Sequence, residues 1–181
     1  MAPEILAAMI GLAVLAPAVW LYNRLVADRN LVRQGFADID VQLKRRADLV
    51  PPLVEAVRAY AAHEKALLSS IAEVRSAAVA APKVAERFAH ERLLGERLDK
   101  LVLLQERYPA LKADANFLDL ARKLVEIEDS LQYARRFYNG AVQQYVTRVE
   151  SFPAFLIARP LGFRALPFFE TADRAPVKVA L

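Results

Sequence analysis

The stretch from Phe117 to Tyr145 reads FLDLARKLVEIEDSLQYARRFYNGAVQQY. Its apolar positions, Phe117, Leu120, Leu124, Ile127, Leu131, Ala134, Tyr138, Ala141 and Tyr145, follow one another in alternating steps of three and four. That spacing keeps one face of an α-helix apolar over about four heptads. Asn116 stands just before the run as the expected N-cap, and Pro153 is expected to stop the helix. A helix of this length must bury its seam against other helices, which predicts an all-α fold.

The segments upstream keep the same period. Leu25, Val32, Phe36, Ile39 and Leu43 predict a first long helix, with Gly35 its earliest interruption after the apolar N-terminal run. Pro51-Pro52 is expected to break or kink it near Leu49 and Val50. A second helix is predicted from about Pro52 to Ala80, with Leu53, Val57, Tyr60, Leu67, Leu68, Ile71 and Val74 on one face. A third runs from about Lys83 to Tyr108, stopped by Pro109. The connections are short, so antiparallel neighbours are expected. The predicted fold is an elongated antiparallel bundle of four long helices, followed by an irregular C-terminal tail over 154–181.

Residues Ile5 to Tyr22, ILAAMIGLAVLAPAVWLY, carry no charge. At about 1.5 Å per residue the run spans roughly the hydrocarbon thickness of a bilayer. Ile5, Leu6, Leu12 and Val14 supply its apolar surface, and Trp20 and Tyr22 close it where interfacial aromatics belong. A cleaved signal peptide would need a basic n-region, and Met1-Ala2-Pro3-Glu4 has none. A buried core helix would rarely run so far without a charge. The domains expected are a transmembrane anchor over 1–22, a helical bundle over 23–153 and the tail.

All 25 Lys and Arg residues lie after residue 22, within a net charge of +4. Arg24, Arg29 and Arg33, then Lys44, Arg45 and Arg46, follow the apolar run. The positive-inside rule therefore places the bundle in the cytoplasm and the N-terminus outside. A mild and dispersed basic excess suits a domain beside anionic lipid and argues against a nucleic-acid partner. Arg24, Arg29, Lys44, Arg45 and Arg46 are the expected lipid or subunit contacts. Asp28, Asp38 and Asp40 are interspersed with these bases, a pattern suited to lateral pairing of identical subunits. Ala7 and Gly11 form a small-x-x-x-small pair within the apolar run.

No catalytic constellation emerges. The sequence has no Cys, so thiol chemistry and cysteine metal sites are excluded. Three residues before His63 is Tyr60, and three before His90 is Arg87, so neither completes Glu-x-x-His. His63-Glu64 lacks the second His of a zinc-protease helix, since residue 67 is Leu. Glu126, Glu128 and Asp129 stand near Arg122, Lys123, Arg135 and Arg136, which reads as ion-paired surface. The reading is of a non-enzyme with no metal, no cofactor and no small-molecule substrate.

Several pieces resemble the LemA family of bacterial membrane proteins. They are Tyr22-Asn23-Arg24-Leu25-Val26, Ile39-Asp40-Val41-Gln42-Leu43-Lys44-Arg45-Arg46-Ala47-Asp48-Leu49-Val50-Pro51, Leu53-Val54-Glu55 with Tyr60 and His63-Glu64, Tyr108-Pro109, Asn116-Phe117-Leu118, Arg135-Arg136-Phe137-Tyr138-Asn139, Phe152-Pro153 and Pro167-Phe168-Phe169-Glu170. They fall in order from residue 22 to residue 170. Gly35-Phe36 and Pro52 depart from the pattern, which expects Ala with a following aromatic, and Asn. The resemblance implies one N-terminal membrane helix, an elongated helical bundle and no enzymatic activity. It also implies a scaffold at the inner membrane, with some members belonging to gene sets that build magnetic organelles. The alternative it suggests is an adaptor or regulator of a membrane protease or transporter.

Overall fold

The computed structural model describes residues 2–169. Among these it contains helices and no strand: α1 (Ala2–Arg58), α2 (Lys65–Ala80), α3 (Val84–Leu103), α4 (Pro109–Lys112), α5 (Ala115–Glu150) and α6 (Ala154–Ala158), with a 3-10 turn at Leu104–Glu106. The chain divides into two compact units. One takes Met1–Ala37 with Ala134–Phe168, the other Asp38–Tyr133 with Phe169–Leu181. Both α1 and α5 contribute to each.

The long helices follow their apolar seams. On α5, Phe117, Leu120, Leu124, Leu131, Tyr138, Ala141 and Tyr145 are buried, with Ile127 and Ala134 partly so. On α1, Leu25, Val32, Ile39 and Leu43 are buried and Phe36 partly so. The helix does not break at Pro51-Pro52, one of the two outcomes the sequence predicts, but continues to Arg58. Proline inside a helix costs about 3 kcal/mol, because it lacks the N–H that should bond the carbonyl four residues back. For Pro51 that carbonyl is Ala47, and Arg75 Nε of α2 donates to it at 2.6 Å. Val50, Leu53 and Val57 around the pair are almost fully buried. Each stabilises by up to about 1.5–3 kcal/mol, a sum of the same order as the loss at the two prolines.

The break falls instead at 59–64, so the expected second helix is divided between α1 and α2. Tyr60 and Ala61 both donate their N–H to the Val57 carbonyl, closing a turn. Tyr60 Oη donates to Asp114 at 2.7 Å, and Glu64 accepts from Tyr108 Oη at 3.4 Å and pairs with Arg107 at 3.0 Å. Ala81, before Pro82, is extended and ends α2. Pro109 starts α4 at its first turn, where a missing N–H costs nothing. The cap of α5 is Asp114, whose Oδ1 accepts the Phe117 N–H at 2.7 Å; Asn116 already lies inside the helix.

The core of the second unit runs through Val50, Leu53, Val57, Leu68, Ile71, Leu94, Leu98, Leu101, Leu111, Phe117 and Leu120. In the first unit α1 and α5 approach closely at Gly35. A Cβ there would stand 3.0 Å from Tyr138 Cα and 3.0 Å from Phe137 Cδ1.

The tail is not wholly irregular. α6 follows the cis bond between Phe152 and Pro153, and the chain after it reverses at Gly162, which has φ +75°. Gly162 N–H bonds the Arg159 carbonyl at 3.2 Å and Phe163 N–H the Ala158 carbonyl at 3.0 Å. These paired bonds are those of a Schellman cap, whose left-handed position glycine fills without strain. Phe163 and Phe169 are buried. Residues 170–181, including Glu170 of the family-like stretch, lie outside the described residues.

Candidate functional site

The N-terminal part of α1 is long and apolar enough to cross a membrane, with mean hydropathy 2.2 over its best window. Ile5, Leu6, Leu12, Trp20 and Tyr22 are all exposed. Val14 lies on the same helix, but its side chain is outside those described. Large apolar groups exposed in succession are costly in water and would cost nothing in hydrocarbon.

Of the expected basic contacts, Arg24, Arg29, Lys44 and Arg45 are exposed. Arg46 is not: its relative exposure is 0%, and it corrects the expectation that it meets lipid or another subunit. It follows Ile39 and Leu43 and precedes Val50 and Leu53 on the buried seam of α1, so helical spacing turns it inward. Its guanidinium bonds Glu128 at 2.7 Å, the Glu91 carbonyl at 2.8 Å and the Glu91 carboxylate. Burial works against the charge on Arg46. The neighbouring Glu128 and Glu91 outweigh it and hold the pKa above the ordinary arginine value. Partial burial and then Glu128 push the Asp99 carboxyl upward, against the attraction of Arg46. Glu128, expected to pair along its own helix, instead reaches across to α1.

Asp28 is the second departure. Expected on an open face for lateral pairing, it is buried at 3% exposure. Its carboxylate accepts from Gln144 Nε2 at 2.8 Å and pairs with Arg148, while Arg24 stands 4.0 Å away. Asp40 is also engaged, by Arg87 at 2.6 Å. Arg33, Gln34, Asp38, Val41, Lys44, Arg45 and Asp48 remain exposed along α1.

Sequence reasoning missed Glu91 altogether. It sits with Phe88, Leu94 and Leu98 at helical spacing, an acid inside an apolar stripe, and that breach was its signal. It also left open where the tail goes. Phe163 makes an edge-on contact with Tyr22 at 6.0 Å, Arg29 lies 5.9 Å above the same ring, and Tyr138 Oη donates to the Pro167 carbonyl at 2.8 Å. Phe169 stacks obliquely on Phe88 at 4.0 Å. Among the described residues no group of three or more His, Asp or Glu is arranged to hold a metal ion.

A family model described as the LemA family matches residues 35–181. Among curated proteins, magnetosome protein MamQ 1 of Paramagnetospirillum magneticum is 23% identical over 184 residues, covering 87% of this chain and 68% of that one. MamQ 2 of the same organism matches equally. Magnetosome protein MamQ of Magnetospirillum gryphiswaldense is 22% identical over 174 residues, covering 82% of this chain and 64% of that one.

Proposed function

Since the chain belongs to the LemA family, we propose that it is a non-enzymatic, membrane-anchored helical scaffold that self-associates at the bacterial inner membrane. Residues 1–22 anchor it with the N-terminus outside. Residues 23–153 form a cytoplasmic antiparallel bundle in which α1, α2, α3 and α5 are the four long helices, and 154–181 are its tail. Its partners are the lipid bilayer and further copies of itself.

The observation that carries this reading is the continuity of α1. One uninterrupted helix holds both the exposed apolar run and, beyond it, the exposed row Gln34, Val41, Lys44, Arg45 and Asp48. Mixed charge on such a row suits pairing with an identical neighbour. Each exposed ion pair contributes under about 1 kcal/mol, so association needs several pairs and the confinement of the membrane. The magnetosome proteins among its relatives favour a place on membranes.

The absence of native Cys makes cross-linking clean. Single cysteines at Gln34 or Val41 in intact membranes are expected to give covalent dimers. The double variant should give a ladder, which Lys44→Glu with Arg45→Glu shortens. Monomer alone, with both thiols shown to react, overturns self-association. A stoichiometric foreign protein in the product would transfer the reading to an adaptor of a membrane protease or transporter.

A further inference from the structure

The contacts of the first unit fix the height of its lower end relative to the membrane run. Gly35 of α1 meets Tyr138 of α5, and Asp28 of α1 meets Gln144 and Arg148. The pairs fall in reverse order along the two helices, so each step down α1 matches a step along α5. From the level of Asp28, about six residues, or roughly 9 Å, lead down α1 to Tyr22, and Gln144 and Arg148 stand within about the last two turns of α5, which ends at Glu150 just before Phe152. Tyr22 ends the uncharged run, and its ring touches Phe163. The corner between α5 and α6 therefore stands where α1 leaves the bilayer.

That corner exposes what an interfacial surface needs. Phe152 is 77% exposed, Leu156 56% and Leu161 55%, while Ala154 and Ala158 face inward. Beside these apolar groups the chain carries Arg159 and Arg164, joined by Arg24 and Arg29 of α1. An open cleft of about 610 Å³ is bordered by Phe155, Arg159, Phe163 and Arg164, with Glu150 its one acid. The Gly162 cap fixes the arrangement by turning the chain back so that Phe163 docks. Large apolar side chains next to arginines, at headgroup height, match a membrane surface of anionic lipid.

We infer that the α5–α6 corner is a second membrane contact. Phe152, Leu156 and Leu161 enter the headgroup–acyl boundary, and Arg159 and Arg164 meet headgroup phosphates. The inference rests on the anchor reading, since only the membrane exit at Tyr22 brings lipid to this height. With the corner seated, the first unit is held at two points and cannot swivel freely about its anchor.

Single-tryptophan forms of the full-length chain, W20F with F152W or with L156W, test this in vesicles of phosphatidylcholine and phosphatidylglycerol. Acyl chains brominated near the headgroup are expected to quench most of the emission at either position. Tryptophan at exposed Arg136, about 24 Å up the chain from Phe152 by helical rise, should stay bright. R159E with R164E, or vesicles lacking phosphatidylglycerol, should lower the quenching at residue 156. A chain that stays in carbonate-washed vesicles while positions 152 and 156 remain unquenched overturns the corner contact and leaves the anchor standing. A chain that washes away overturns both. Emission that shifts blue without quenching, and grows with protein density, assigns the corner to a second copy and also overturns the inference.

Discussion

Arg75 Nε lies 2.6 Å from the Ala47 carbonyl, the group that Pro51 leaves without its helical donor. The side chain of one helix thus completes the backbone of another at the point where proline would end it. R75M should destabilise the protein by about 1–3 kcal/mol, because Ala47 is buried and its carbonyl then loses this partner. P51A restores an N–H, so R75M should cost much less in a P51A background. Thermal or urea melts of the four forms in detergent form the double-mutant cycle. Strictly additive effects would show that the bond does not compensate for the proline.

The buried cation gives a second prediction. E91A leaves Arg46 short of its most enclosed partner and should cost about 3–5 kcal/mol. E128A should cost clearly less, since Glu128 is about a third exposed. Replacing Arg46 and Glu91 together by Met and Leu removes both charges and should recover much of the loss. Equal melting points for E91A and E128A would refute this ranking.

Two glycines should respond in opposite directions to the same substitution. Alanine gains up to about 1 kcal/mol over glycine in a helix interior. At Gly140 nothing lies within 4 Å of the new Cβ, so G140A should stabilise by that amount. At Gly35 the Cβ meets backbone at 3.0 Å, and overpacking of about 1–3 kcal/mol exceeds the gain. G35A should therefore melt below the wild type and G35V lower still.

The Tyr60–Asp114 hydrogen bond predicts a pH response at both ends of the scale. The Phe117 N–H and then the Tyr60 hydroxyl hold the Asp114 carboxyl below 3.8. Its contribution is complete above that value and is lost as pH falls through the lower folded-state pKa. The hydrogen bond to Asp114 holds the Tyr60 hydroxyl above 10.0, so its contribution is complete below pH 10.0 and lost as pH rises through the folded-state pKa. Y60F should lessen the alkaline loss, to which buried Tyr138 and Tyr145 also contribute, and soften, without abolishing, the acid one. Melting temperature against pH for the two proteins reads this directly.

Much of the helix pattern was legible because one seam runs along α1 from Leu25 to Val57. Its positions Leu25, Val32, Ile39, Leu43, Val50, Leu53 and Val57 are all buried. The same seam includes Asp28, Gly35 and Arg46, and the functional reading went astray where it treated the charged two as surface. A charge on an apolar face announces a buried partner, but the partner's identity is long-range: Glu91 and Arg148 lie far along the chain. The helix end at Arg58 was illegible for a related reason. Neither Gly nor Pro marks it, and the groups that hold the turn come from Arg107, Tyr108 and Asp114. The rescue of Pro51 by Arg75 was hidden in the same way.

A helix without a joint is a lever. α1 runs from Ala2 through Pro3 and Pro17 into the first unit, with no loop between the apolar run and buried Leu25. A thinner bilayer tilts the spanning segment of such a helix. On the anchor reading, that tilt passes along the same backbone to Asp28 and Gly35, where α5 packs on α1. Bilayer thickness thereby sets the lean of the first unit, and neighbours in one patch of membrane share it.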